Sequence, residues 1–145
     1  MSKTNTWETG LLELVFTNTT FAGVGDATGL PGAATAGSLY FSLHTADPGE
    51  TGDQTTSEIA YTSYARVAVA RSTAGWTVTG NAVATDANVD FPAGTGGSGT
   101  ATHFGIGTAS SGAGKLLYKG AISPSIVCGS GVTPRLNAGT VVTED

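Results

Sequence analysis

The side chains in this sequence that carry reactive chemistry are few: two histidines, His44 and His103, one cysteine, Cys128, and a short acidic run, Asp47-Pro-Gly-Glu50-Thr-Gly-Asp53. A histidine pair joined by thiolates or carboxylates at ligand spacing would hold a transition metal. No Cys, Asp or Glu accompanies either histidine at such spacing. Each histidine instead falls on the strand face opposite the larger apolar residues, the pattern of a polar-face or interface histidine. The acidic run offers carboxylates that a Gly-rich turn can fold around calcium. It lacks the alternate-residue oxygens and closing bidentate Glu of a helix-flanked calcium loop, so a solvated turn is expected. A serine or cysteine nucleophile needs a strand–turn–helix elbow and a base oriented by a third group, and Gly129-Ser-Gly131 lies between two strands. Cys128 reads as a small buried hydrophobe, and a lone cysteine makes neither an intrachain disulfide nor a thiolate zinc site.

The Gly-rich stretches Gly94–Gly99 and Ser110–Gly114 open no helix and do not end in Gly-Lys-Ser/Thr, so they are turns rather than phosphate cradles. Tyr40, Tyr61, Tyr64, Trp76 and Tyr118 suggest a carbohydrate-stacking platform, but in strands they fit ordinary packing better. Glycosidase chemistry requires two carboxylates flanking a cleft; only Asp47, Glu50, Asp53, Glu58, Asp86 and Asp90 lie near predicted strand ends. No catalytic residue, metal or cofactor is expected.

The elements that position these residues follow from composition and pattern. The chain has 145 residues, enough for one domain with a core of its own. Its net charge of −5 and six scattered basic residues argue against nucleic acid as a partner. Charged residues are only 12%, with 22 glycines, which describes a turn-rich β protein whose weakly charged surface is best covered by neighbouring subunits. No leader or membrane-length apolar run is evident, so synthesis as a soluble protein in a cytoplasm is expected.

Asn5-Thr-Trp-Glu8 reads as a helix start, with Asn5 as cap and Glu8 reaching back to it. Trp7, Leu11, Leu12, Val15 and Phe16 continue at helical spacing, with Gly10 a weak point, until Thr17-Asn-Thr-Thr20 ends the helix. A Gly- and Ala-rich arm follows to Gly37. From residue 38 short strands alternate with turns. Leu39, Phe41 and Leu43 alternate with Tyr40, Ser42 and His44, and Asp47-Pro-Gly stops the strand. Further strands are expected at Tyr64–Arg71, Trp76–Thr79, Val83–Thr85, Asn88–Phe91, Ala101–Gly107, Lys115–Ile122, Ser125–Cys128, Val132–Leu136 and Thr140–Thr143. The fold class is therefore all-β, an antiparallel, jelly-roll-like β-sandwich with one short N-terminal helix: helix and arm over 1–37, sandwich over 38–145, together a single domain.

Three stretches resemble a family of small tailed-bacteriophage structural proteins, often labelled tail fibre proteins, whose likeness extends to capsid decoration (cement) proteins. They are Leu39-Tyr-Phe-Ser-Leu-His-Thr-Ala-Asp-Pro-Gly-Glu50 with Tyr64-Ala-Arg-Val-Ala-Val69, then Ala101-Thr-His-Phe-Gly-Ile106, then Lys115-Leu-Leu-Tyr-Lys-Gly-Ala121 with Asn137-Ala-Gly-Thr140. The resemblance implies a virion protein that oligomerises and clamps major capsid protein subunits on the exterior of the assembled head. The alternative is a tail or fibre component that recognises the host. A two-fold homodimer is expected, with neither nucleic acid nor membrane as partner. The expected interface is the helix stripe of Trp7, Leu11, Val15 and Phe16 with Leu30 and Pro31 of the arm.

Overall fold

The computed structural model describes residues 2–144. They form a helix, α1 (Asn5–Leu12), continued by a widened turn over Glu13–Thr17. Nine strands follow among the described residues: β1 (Ser38–His44), β2 (Val67–Ala70), β3 (Trp76–Thr79), β4 (Ala82–Thr85), β5 (Val89–Asp90), β6 (Ser98–Gly107), β7 (Leu116–Gly129), β8 (Arg135–Leu136) and β9 (Val141–Thr143). The chain divides into two compact units, one of residues 2–38, 70–88 and 137–144, the other of 39–69 and 89–136. The first unit thus joins to the N-terminal segment two stretches that the sequence reading placed in the sandwich.

In the first unit the helix is a core element. Leu12 and Phe16 are fully buried and Glu8 nearly so, because residues at i, i+4 and i+8 share one helix face. Phe16 meets the Trp76 ring edge-on, centroids 4.7 Å apart. Burying two such side chains contributes roughly 1.5–3 kcal/mol each. The cap is Thr4 rather than Asn5, with extended backbone and no side-chain cap bond; the Glu8 N–H donates to the Thr4 carbonyl. Asn18 ends the helical segment in the left-handed region at φ 60°, a conformation asparagine tolerates better than most residues. The carbonyls freed at this end accept from Arg71: Nε to Val15 O at 2.6 Å and Nη2 to Leu14 O at 2.7 Å, while Nη1 reaches Ala36 O at 3.0 Å. One guanidinium therefore fixes both the helix end and the arm. The sheet beside them runs β3-β4-β9, antiparallel, with Trp76 opposite Thr85.

The second unit holds a sheet ordered β2-β1-β6-β7 and the pair β5-β8. β1 and β6 are antiparallel, Phe41 opposite Ile106 and Leu43 opposite Phe104. Phe41, Leu43 and Ile106 are fully buried, and so are Ser42 and His44 on the other face of β1. Phe91, next to β5, stacks on Tyr64, whose hydroxyl accepts the Leu43 N–H at 3.1 Å, so the two sheets share one core. The all-β, antiparallel sandwich class with one short helix is the class formed; the pairings do not carry the jelly-roll order. The strands expected at Lys115–Ile122 and Ser125–Cys128 are one strand, β7, with a bulge. Its register passes from Ala101↔Ile126 to His103↔Ala121, leaving residues 122–125 opposite Thr102 alone. Pro124 sits in that bulge, where the ladder needs no donor.

Candidate functional site

Two polar residues of β1, Ser42 and His44, turn their hydrogen bonds inward. His44 Nε2 lies 2.8 Å from Ser42 Oγ and Nδ1 lies 2.8 Å from the Thr56 carbonyl. A carbonyl can only accept, so Nδ1 carries the proton and Nε2 accepts from the serine hydroxyl. Burial holds the imidazole below its ordinary value, against the Thr56 carbonyl and Glu58, which favour protonation. A hydroxyl on a neutral imidazole is the start of a nucleophile–base pair. Here both residues have zero exposure and the third partner is a carbonyl rather than a carboxylate. The pair is closed to substrate and serves the core.

Beside it, Glu58 and Arg66 form a fork. Arg66 Nε donates to Oε1 at 2.7 Å and Nη2 to Oε2 at 2.8 Å, and Tyr64 OH also donates to Oε1 at 2.8 Å. The remaining guanidinium protons reach the carbonyls of Ala109 at 2.9 Å and Gly112 at 2.8 Å. Gln54, fully buried, accepts the Ala109 N–H at 2.9 Å. The small-residue loop 108–114 is therefore held by Arg66 and Gln54. The Tyr64-Ala-Arg66 motif, expected wholly within a strand, precedes β2, because its two long side chains are drawn into this network.

At the surface, the acidic turn has its own cation. Lys119 Nζ lies 3.0 Å from Asp47 and 3.2 Å from Glu50. Asp53 instead accepts from the backbone and hydroxyl of Thr55. The Gly49 N–H and then Lys119 hold the Asp47 carboxyl below its usual range, and the Thr55 hydroxyl and N–H do the same for Asp53. No group of three metal-ligating side chains occurs among the described residues. Cys128 is buried and its thiol is pushed up by desolvation, the opposite of an activated thiolate. His103, half-buried, has Nδ1 3.0 Å from the Thr102 hydroxyl. No helix among the described residues is long and apolar enough to cross a membrane.

The expected interface residues do not form one stripe. Phe16 lies in the core, a correction that follows from the helix face it shares with Leu12. Leu11 and Val15 are half-buried. Trp7, 38% exposed, packs on Phe21 with ring centroids 5.4 Å apart. Phe21 in turn exchanges two backbone hydrogen bonds of 2.9 Å with Leu30, so Trp7 and Leu30 meet at the same residue, with Pro31 exposed beside them. Phe21 was passed over, standing between the helix terminator and the arm. Its signal was a lone aromatic ring in a run of small residues.

Comparison with known families adds to this geometry. The family described as podophage GP4 fiber I protein gp80 matches residues 2–144. The chain belongs to this family. No curated protein matches it. Membership bears out the resemblance at the level of a phage structural protein and makes the chain a virion component.

Proposed function

We propose that the chain is a non-catalytic building block of a podophage fibre. The observation that carries this is the family match, which spans all but the first and last residues. The internal chemistry supports it: the Ser42–His44 pair is sealed in the core, and five of the six basic residues, Lys3, Arg66, Arg71, Lys119 and Arg135, are tied to carboxylates or backbone carbonyls. A protein of this kind binds by shape and backbone pairing. β7 offers such a surface, since among the described residues it pairs with β6 on one side only, and an open strand edge is a template for a second chain. Its partners are then further copies of itself, most simply a two-fold pair, and the tail that carries the fibre. Repeated weak contacts gain from effective concentration once the copies are in register.

The head-decoration reading rests on the resemblance of the strand and turn motifs and on sparse charge, both of which a fibre subunit shares, and lacks the family description in its favour. Gold-labelled antibody against the chain, applied to intact particles, separates the two. Label on fibres is the expected result; label spread over the head shell would replace the fibre with a decoration protein.

A further inference from the structure

We infer that the groove between α1 and the segment following it is a binding site for a neutral saccharide. The groove is open, has a volume of about 470 Å³, and is lined by Asn5, Thr6, Thr9, Glu13, Thr20 and Phe21 among others. That volume lies within the ordinary range for small-ligand sites, about 300–1,000 Å³. The helix supplies one wall, because positions 5, 6, 9 and 13 lie on neighbouring turns of one side. The other wall is held by the Phe21–Leu30 bridge. Gly10 sets the spacing: a β-carbon there would lie 2.6 Å from the Phe21 ring, so the ring rests against the helix backbone.

The polar groups in the groove differ from the buried network around Ser42, His44, Glu58 and Arg66, because their hydrogen-bonding capacity is open. Among the described residues the Asn5 amide, the Thr6 hydroxyl and the Glu13 carboxylate form no hydrogen bond. Thr9 donates its proton to the Gly80 carbonyl at 2.8 Å and so presents acceptor lone pairs. Thr20 accepts from the Gly32 N–H at 3.4 Å and keeps a proton to give. Donors and acceptors thus share the groove with an aromatic ring, which matches a sugar: hydroxyls for the polar groups, C–H bonds for the apolar part of the lining. Charge selects among sugars. Among the described residues Glu13 is the one charged side chain lining the groove, so an anionic glycan is repelled while neutral hydroxyls can donate to the carboxylate. A cationic amine would use Glu13 but leave the amide and hydroxyls without partners.

The source of the saccharide, a glycan on the host surface, rests on the fibre reading; the groove itself does not. The test is titration of the isotope-labelled full-length chain with maltose, lactose and cellobiose at millimolar concentration. A glucuronic-acid disaccharide and an alkylamine serve as charge controls. At least one neutral disaccharide should shift amide resonances confined to residues 5–13 and 20–22, and its affinity should fall about tenfold in Glu13→Gln and in the Asn5→Ala/Thr6→Val pair. Unchanged resonances elsewhere would show that these variants fold. The proposal is overturned if no neutral saccharide shifts these resonances, if the variants bind as the parent does, or if only the amine or the acidic sugar binds. Saccharide binding by a chain located on heads would overturn the fibre reading and leave the groove; location on fibres without saccharide shifts would do the reverse.

Discussion

Arg66 lies fork to fork on Glu58, with Nε 2.7 Å from Oε1 and Nη2 2.8 Å from Oε2, and its side chain is only 2% exposed. A pair so placed cannot lose one member without leaving the other charge desolvated. Arg66→Ala should therefore cost about 3–5 kcal/mol, read from urea unfolding followed by far-ultraviolet circular dichroism. Arg66→Lys should recover little, since an ammonium cannot reach two carboxylate oxygens and the carbonyls of Ala109 and Gly112 together. A loss below about 1 kcal/mol, the range of an exposed pair, would show that the fork is ornamental.

Phe16→Ala should destabilise the first unit by about 3–5 kcal/mol, because the ring is fully buried against Trp76. Tryptophan fluorescence reports this directly. The same reasoning applies to Leu43→Ala and Ile106→Ala in the second unit, at about 2–5 kcal/mol each. Deleting residues 1–37 removes Leu12 and Phe16 and should unfold the first unit. Persistence of the native Trp76 emission after that deletion would contradict the core role of the helix.

Burial holds His44 below its ordinary value, so on acidification the unfolded chain takes up this proton before the folded one. The associated stability is complete above the unfolded value, about 6.5, and is lost as pH falls toward the folded value. Denaturant midpoints should therefore drop between about pH 7 and pH 5, and His44→Gln should flatten that drop. At the other end, desolvation pushes Tyr61 up to about 12, so stability should be lost as pH rises above about 10. A midpoint independent of pH on the acid side would place His44 in water.

A β-carbon on Gly107 would lie 2.2 Å from Gln54 Cδ. Gly107→Ala should therefore displace Gln54 and release the Ala109 amide, at a cost of about 1–3 kcal/mol for overpacking. Hydrogen exchange at Ala109 should accelerate while amides of the first unit keep their protection. Unchanged protection at Ala109 would mean that Arg66 alone holds the loop.

Much of the strand order was legible in the sequence because its period is two and its turns are marked: Leu39, Phe41 and Leu43 alternate, and Trp76–Thr79 is bounded by turn residues. The helix was legible, but its facing was not. Trp7, Leu11, Leu12, Val15 and Phe16 cover too wide an arc to say which side is buried, and only the structure, with Phe16 on Trp76 and Leu12 buried on the same face, selects it. The Tyr64–Arg71 run was overextended because a strand pattern does not reveal that Arg66 reaches Glu58. The groove at Asn5, Glu13 and Phe21 was invisible for a similar reason: its walls come together only when Phe21 pairs with Leu30.

The central claim, a structural component of the virion, is tested most directly by quantitative mass spectrometry of gradient-purified particles after a high-salt wash. The chain should be present in a fixed ratio to the other tail proteins across preparations. Abundance in infected cells with loss from washed particles would contradict it.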